Sequence, residues 1–174
     1  MYNTHIYWNE NRGGMSKGKI LIVYDSETGN TEKMAHAVEA GVKKVDNVDV
    51  ITKKVGETNL DDLLAADGII IGSPTYYGLM SAKVKELFDK SVKIHGKLEG
   101  KVGAAFTSAG GTATGAETTI LSILKAMLVH GMIIQGRSSN KHYGVACVSA
   151  PDEKAIQFCE ELGERTAKLT IKMI

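Results

Sequence analysis

Apolar runs without charged residues recur along this chain and alternate with stretches of helical periodicity. The clearest runs are 20–23 and 68–72, and continuous apolar segments of this length are typical of strands that are buried on both faces of a sheet. The predicted strands are 20–23, 48–51 with Val55, 68–72, 102–106, and a split strand formed by 132–134 and 144–148.

Helical patterns fill most of the intervals between these strands. After the first strand, apolar residues recur at helical spacing from Met34 to Val45. Further helices are predicted to begin after Ser81 and after Asp152, which are both good N-cap residues, and to cover 117–130. Strands that alternate with helices predict a doubly wound α/β fold, a five-stranded parallel sheet with helices on both faces.

The turn after the first strand concentrates hydrogen-bond donors. It comprises Ser26, Glu27, Thr28, Gly29, Asn30 and Thr31. Such a strand-to-helix turn aims free backbone N–H groups and the positive end of the helix dipole at one point. Because no Lys or Arg lies between Asp25 and Glu32, the pattern favours the single phosphate of a mononucleotide. An ordinary turn with N-capping hydroxyls is the alternative interpretation.

Two further loops follow predicted strands and would lie at the same edge of the sheet, where open α/β sheets bind ligands. One spans 73–80 and the other 107–115. Glycines in these loops allow close approach of the backbone to a ligand, although turns alone could also explain them. The candidate binding residues are Pro74, Thr75, Tyr76, Tyr77 and Gly78 in the first loop, and Thr107, Ser108, Ala109, Gly110, Gly111 and Thr112 in the second.

Composition narrows the classes of function. The formal net charge is +1 and the charges are scattered, so neither a nucleic-acid surface nor a membrane-surface patch is indicated. No apolar run approaches the roughly 18 residues of a membrane-spanning helix, and we expect a cytoplasmic protein. Cys147 and Cys159 are the only cysteines, and no histidines are paired at ligand spacing, so a disulfide framework or a metal site is not expected.

The length of 174 residues suits one domain. We expect this domain to span residues 19–174. Residues 1–18 are interpreted as a disordered extension or an artefact, because they contain no apolar leader pattern and Met15 offers an alternative start.

The motifs, taken together, resemble a known family. The turn at 26–31 looks like the FMN phosphate loop of flavodoxin-like proteins. The segments 72–80, 107–111, 117–119 and 130–132 resemble, in this order, motifs of the tryptophan-repressor-binding flavoproteins, which are NAD(P)H:quinone oxidoreductases. The resemblance covers about residues 19–172 and implies a flavodoxin-like sheet with the strand order 2-1-3-4-5.

This resemblance implies FMN as the cofactor, NAD(P)H as the electron donor and a quinone as the acceptor. It implies that loop 26–31 holds the FMN phosphate, that residues 75–77 lie along the flavin, and that residues 107–113 wrap the isoalloxazine edge. His130 is implied to reach the flavin from a neighbouring element or subunit, in a homodimer or homotetramer. No catalytic side chain is predicted, because the flavin carries the chemistry.

Two departures from the family leave the electron acceptor open. The stretch 93–97 lacks the Trp that family members often carry there, and 136–143 is shorter than usual. Three classes of function therefore remain: a two-electron NAD(P)H:quinone reductase, a flavodoxin that carries single electrons between proteins, and an FMN-binding sensor. The net charge of +1 favours the reductase, because carriers usually present a strongly acidic face.

Overall fold

A parallel sheet flanked by helices forms the centre of the computed structural model, which describes residues 17–174. The strands are β1 (Gly18–Tyr24), β2 (Val48–Lys54), β3 (Gly68–Pro74), β4 (Val102–Ala109), β5 (Ile133–Ile134) and β6 (Val145–Val148). The helices are α1 (Asn30–Val42), α2 (Leu60–Ala65), α3 (Ala82–Lys90), α4 (Ala116–Val129) and α5 (Glu153–Met173), with short 3-10 turns at Val55–Glu57 and Ser91–Ile94.

The strand order confirms the doubly wound prediction. The strands run in the order β2-β1-β3-β4-β5, and every pairing is parallel. The fifth position is shared by two short strands, as the split pattern predicted. β5 pairs with the start of β4 at Val102 and Gly103, whereas β6 pairs with its end from Phe106 to Ala109.

Alternate residues of the central strands enter two separate apolar cores, one on each face of the sheet. Ile69 and Ile71 pack with the residues of α3 and α4, whereas Ile70 packs with those of α1 and α5. Full burial of each such side chain contributes about 1.5–3 kcal/mol to the hydrophobic free energy of folding. Burial on both faces explains why these strands read as continuous apolar runs.

Helices α1 and α5 cross at unusually short distance because glycines stand at their contact. A Cβ at Gly41 would collide with the carbonyl oxygen of Glu160, and one at Gly163 would collide with that of Val38. The two backbones therefore touch directly. This contact fixes α1, whose first two residues, Asn30 and Thr31, belong to the segment 26–31, against the 21-residue helix α5.

Two elements, α2 and β4, differ clearly from the sequence prediction. Helix α2 was not predicted, because its six residues bury only Leu63 and give no helical periodicity. Its capping box, in which Asn59 and Asp62 each accept the other's backbone N–H, was the signal available. Strand β4 continues beyond the predicted end to Ala109, so residues 107–109 belong to a strand and not to a loop.

Strand β1 begins at Gly18, and Lys17 before it forms an ion pair with Asp49. The predicted domain bounds of 19–174 stay a prediction. The expectation for residues 1–16 lies outside the described residues. Within residues 17–174, no helix is long and apolar enough to cross a membrane. The same residues contain no group of three or more His, Cys, Asp or Glu side chains that could hold a metal ion.

Candidate functional site

A cavity of about 310 Å³ opens at the carboxyl edge of the sheet, where β1, β3, β4 and β6 end. Its volume lies in the range of ordinary small-molecule pockets. All of the residues that line it except Ser149 were predicted from the sequence. The lining residues are Glu27, Thr28, Asn30, Thr31, Pro74, Thr75, Tyr76, Ser108, Ala109, Gly110 and Ser149.

The amino end of α1 supplies backbone donors to this cavity. Gly29 occupies the N-cap position with a φ of 85°, and no side chain caps the helix. The Gly29 N–H itself donates to the Ser26 hydroxyl at 3.1 Å, which holds the turn in shape. Because the first-turn N–H groups of a helix point beyond its amino end, those of α1 are left to bind an anion there.

Hydroxyl pairs join the loops across neighbouring strands. Thr31 is almost fully buried, and its Oγ1 lies 2.8 Å from Oγ of Ser108, so the start of α1 is tied to the end of β4. Thr75 Oγ1 lies 3.0 Å from Thr107 Oγ1, and the Thr75 N–H donates to the Ser108 carbonyl at 2.8 Å. These bonds fix the spacing of the cavity walls before any ligand arrives.

A tight turn carries two aromatic side chains at the mouth of the cavity. Tyr76 and Leu79 exchange backbone hydrogen bonds of 3.1 and 3.0 Å, and Tyr77 and Gly78 between them have φ values of 51° and 74°. Thr118 at the start of α4 donates to the Gly78 carbonyl at 2.7 Å. The turn is thus anchored, while the Tyr77 side chain is fully exposed and Tyr76 is half exposed.

The turn at 26–31, called the phosphate cradle below, has a charged neighbour that the sequence did not reveal. Lys83 of α3 places its Nζ 2.6 Å from Glu27 Oε1 and 3.6 Å from Asp25 Oδ1. The hydrogen bond from Lys83 lowers the pKa of Glu27, and the same bond raises the pKa of Lys83. The lysine charge is therefore matched by carboxylates, and the residues that line the cavity include no Lys or Arg.

Several predicted residues support the cavity without lining it. Ser26 and Gly29 shape the first turn, Tyr77 and Gly78 form the aromatic turn, and Thr107 is fully buried while it donates to the Ser73 carbonyl at 2.6 Å. Gly111 and Thr112 lie further along the loop after β4 and are outside the lining. The roles predicted for these residues toward a flavin stay predictions.

His130 lies at the other end of α4. Its Nε2 is 2.7 Å from Ser91 Oγ, it is only 7% exposed, and its Nδ1 has no hydrogen-bond partner among the described residues. Burial, followed by the nearby His95, lowers the pKa of His130. The fourteen residues of α4 span roughly 21 Å, so His130 lies away from the cavity of its own chain. A contact with a flavin would require a second subunit.

Ser149 was missed although the rule that located the other loops also applies to it. It directly follows β6 at the same edge of the sheet, and its φ of 58° marks a sharp turn there. The split of the last strand concealed this position, because the apolar pattern of 144–148 is too short to mark a strand end as clearly as the longer runs do.

The cavity fits a mononucleotide better than a dinucleotide. It offers one uncapped helix end for one phosphate, with hydroxyl and amide donors around it. Cβ positions built on Gly29 and Gly110 meet no protein atom within 4 Å, so the backbone there is open to close contact with a flat ring. These features agree with the FMN site that the sequence predicted.

Comparison with known proteins also supports FMN as the cofactor. A family described as NADPH-dependent FMN reductase matches residues 53–144. A flavodoxin from Aquifex aeolicus is 37% identical, over 87% of this chain and 86% of the relative. An NAD(P)H dehydrogenase (quinone) from Archaeoglobus fulgidus is 34% identical, over 89% of this chain and 98% of the relative.

Solved structures agree on the fold. The WrbA-like flavodoxin from Agrobacterium tumefaciens superposes with a TM-score of 0.78 at 24% identity, and the match covers 90% of this chain and 99% of that one. The family description also agrees with the expected FMN cofactor and nicotinamide donor. With its strand order, its cradle and these relatives, the chain belongs to the flavodoxin-like family described as NADPH-dependent FMN reductase.

Proposed function

We propose that this protein is an FMN-dependent NAD(P)H:quinone oxidoreductase that transfers two electrons. The observation that carries this proposal is the pairing of a phosphate cradle at 26–31, without Lys or Arg, with the half-exposed Tyr76, which lines the same cavity, and the fully exposed Tyr77 next to it. A cradle alone would serve any FMN protein. The aromatic mouth adds an apolar platform on which a nicotinamide or a quinone ring can stack.

Different residues of the cavity would hold different parts of the cofactor. The amino end of α1, with Thr28, Asn30 and Thr31, would bind the phosphate, and the chain around Gly110 would lie against the ring system. FMN, when bound, accepts a hydride at N5 and passes electrons to the acceptor. The hydrogen bonds between Thr31 and Ser108 and between Thr75 and Thr107 keep these groups in place, which limits the reorganisation needed for binding.

The position of the aromatic turn implies one pocket for both substrates. The turn stands on the start of α4, where Thr118 donates to the Gly78 carbonyl, and it places Tyr76 in the lining of the cavity. A ring that stacks on the flavin would lie beside this side chain. NAD(P)H and the quinone would therefore occupy this place in turn. Ping-pong kinetics is the expected consequence.

Anaerobic titration of the FMN-loaded protein tests this function directly. The proposal requires stoichiometric bleaching of the flavin by NADH or NADPH, followed by reoxidation with benzoquinone. Double-reciprocal plots should give parallel lines. If the flavin stays oxidised with both nucleotides but is reduced through a ferredoxin or flavodoxin reductase, the reductase proposal is wrong and a carrier is indicated.

A flavodoxin-type electron carrier is the second candidate. The Aquifex aeolicus relative that bears this name is at least as similar to the chain as the quinone dehydrogenases are. The alignment with the Archaeoglobus fulgidus enzyme also runs over 189 positions, more than the 174 residues of this chain, so that enzyme carries insertions that are missing here. The net charge of +1 supports the reductase, because electron carriers of this kind usually present a strongly acidic face to their partners.

A homodimer or homotetramer remains part of the proposal. Leu128 and Val129 at the end of α4 and Val92 in the adjacent 3-10 turn are exposed, which supports burial of this region against another copy. Light scattering of the FMN-loaded protein at micromolar concentration should give at least twice the monomer mass. A monomeric mass with FMN fully bound would contradict the oligomer. The cytoplasmic location also stays a prediction.

A further inference from the structure

A second and larger cavity lies at the outer edge of β6. Its volume is about 450 Å³, against about 310 Å³ for the candidate flavin cavity. It is bounded by β6, by the segment that precedes β6 and by the first turns of α5. None of the motifs discussed above accounts for it.

The two cavities are neighbours and share a wall. Ser149 lines the flavin cavity, whereas Val148 and Ala150 on either side of it line the edge cavity. A ligand with two ring systems joined by a flexible linker could therefore reach from the edge cavity to the mouth of the flavin cavity, with its linker passing Ser149. A dinucleotide is such a ligand.

The charges of the edge cavity suit an anion. Lys141 and Lys154 both line it, and neither forms an ion pair with any carboxylate of residues 17–174. Asp152 is the one acidic residue of the lining, and its carboxylate is engaged as the cap of α5, where it accepts the Ala155 N–H at 2.7 Å. Lys141 Nζ makes a long hydrogen bond of 3.4 Å to the Ala146 carbonyl and lies 5.5 Å from the centre of the Phe158 ring, so its charge is not neutralised there. Both ammonium groups can therefore pair with a phosphate.

The remaining surface suits an aromatic base. Ala146, Cys147 and Phe158 form an apolar part of the wall. Burial raises the pKa of the Cys147 thiol to about 11, so this side chain stays neutral and presents an apolar sulfur at physiological pH. The exposed Asn140 adds an amide that can donate to and accept from a base edge.

We propose that the edge cavity binds the adenosine 2′-phosphate end of NADPH, and that Lys141 and Lys154 make the protein prefer NADPH to NADH. The nicotinamide end would lie against the bound FMN, at the mouth of the flavin cavity on the other side of residues 148–150. This inference rests on the proposed function for the identity of its ligand. It also explains where the adenosine half can bind in a chain that has no dinucleotide-binding glycine fingerprint.

Kinetics of the FMN-loaded protein with benzoquinone test the preference. Lys154→Gln and the double variant Lys141→Gln/Lys154→Gln should raise KM for NADPH about tenfold or more, because each loses a charge-assisted hydrogen bond to the 2′-phosphate. KM for NADH and kcat with either donor should not change. Lys172→Gln is the matched control, since it removes one charge from the exposed end of the same helix, outside both cavities.

A binding measurement separates this inference from the proposed function. Calorimetric titration of the FMN-loaded protein with 2′,5′-ADP, without any electron acceptor, should show binding at least tenfold tighter than with 5′-ADP, and the double variant should abolish the difference. If neither nicotinamide donor reduces the flavin but this difference is found, the reductase function is wrong and the edge cavity is upheld. Equal affinity for the two nucleotides, no binding of 2′,5′-ADP, or no change in the double variant would overturn the inference.

Discussion

The two edges of the sheet differ in whether side chains form hydrogen bonds with free backbone groups. At the carboxyl edge, the helices that adjoin the candidate flavin cavity, α1 and α4, begin at Gly29 and Gly115 with no capping side chain. At the amino edge, side chains take up backbone groups: Asp67 accepts the Lys19 N–H at 2.9 Å, and Lys101 donates to the Leu64 carbonyl at 2.8 Å. Backbone N–H groups are left without side-chain partners where a ligand is expected. At the amino edge, backbone groups are hydrogen-bonded to side chains.

The helix caps sharpen this contrast within the carboxyl edge itself. Ser81 caps α3 and Asp152 caps α5, although both helices also begin at that edge. The absence of caps is therefore confined to the helices that meet the cavity or its aromatic turn. Substitutions at the cavity should change ligand binding and leave stability nearly unchanged, whereas substitutions at the amino edge should do the reverse.

The largest effect is expected for Thr28→Glu. Thr28 is exposed on the cradle, so a carboxylate there faces the FMN phosphate without disturbing the core. The repulsion should cost about 3 kcal/mol, which raises Kd for FMN more than a hundredfold. Fluorescence titration of the apoprotein measures this affinity, and urea unfolding should show no loss of stability. Thr28→Ser is the matched control, and retention of FMN by the glutamate variant would show that the cradle lies elsewhere.

The second prediction concerns Ser91→Ala at the amino edge. The change leaves the buried Nε2 of His130 without its partner, which should lower the free energy of unfolding by about 2 kcal/mol. Ser138→Ala, at an exposed position, serves as the control and should have almost no effect. FMN affinity should be unchanged in both. Altered turnover in Ser91→Ala with normal FMN binding would show that the two edges communicate through a second subunit, which is the route by which His130 was predicted to reach a flavin.

A third prediction follows from the lowered pKa of His130. The unfolded chain gains a proton on this residue as the pH falls below about 6.5, whereas the folded chain resists protonation until a lower pH. Stability should therefore be complete above that pH and fall by up to about 1.4 kcal/mol per pH unit as the pH drops toward the folded-state pKa. Urea unfolding from pH 8 to 5.5 measures this slope. His130→Leu should flatten it, and an equal slope in that variant would assign the effect to other groups.

The smallest expected effect is that of Tyr77→Ala. Because this side chain is fully exposed, its loss should change neither stability nor FMN affinity. A stacking surface worth about 1 kcal/mol should instead disappear, which slows both flavin reduction by NAD(P)H and reoxidation by benzoquinone roughly fivefold. Stopped-flow measurement of each half-reaction decides the matter, and a variant that is slowed in only one of them would contradict a shared pocket.

Much of this architecture could be predicted because its signals are local. Apolar runs marked the strands, Ser81 and Asp152 marked two helix starts, and the rule that ligands bind beyond strand ends located most of the cavity. Lys83 could not be located, because it meets Glu27 only through folding, 56 positions along the chain. The edge cavity was equally hidden, since its lysines come from two elements that no sequence pattern connects.

The division of the last sheet position into β5 and β6 bears on how this edge of the sheet avoids pairing with strands of other chains. Each is too short, at two and four residues, to offer a long row of unpaired backbone groups to another chain. Between their pairings, Ala104 and Ala105 of β4 have no strand partner on that side, and the chain passes over this gap near Gly144. An interrupted edge of this kind is a poor template for strand addition, so this edge of the sheet resists the edge-to-edge growth that leads to aggregates. The same interruption gives segment 135–144 freedom to change in length without a shift in the register of β4.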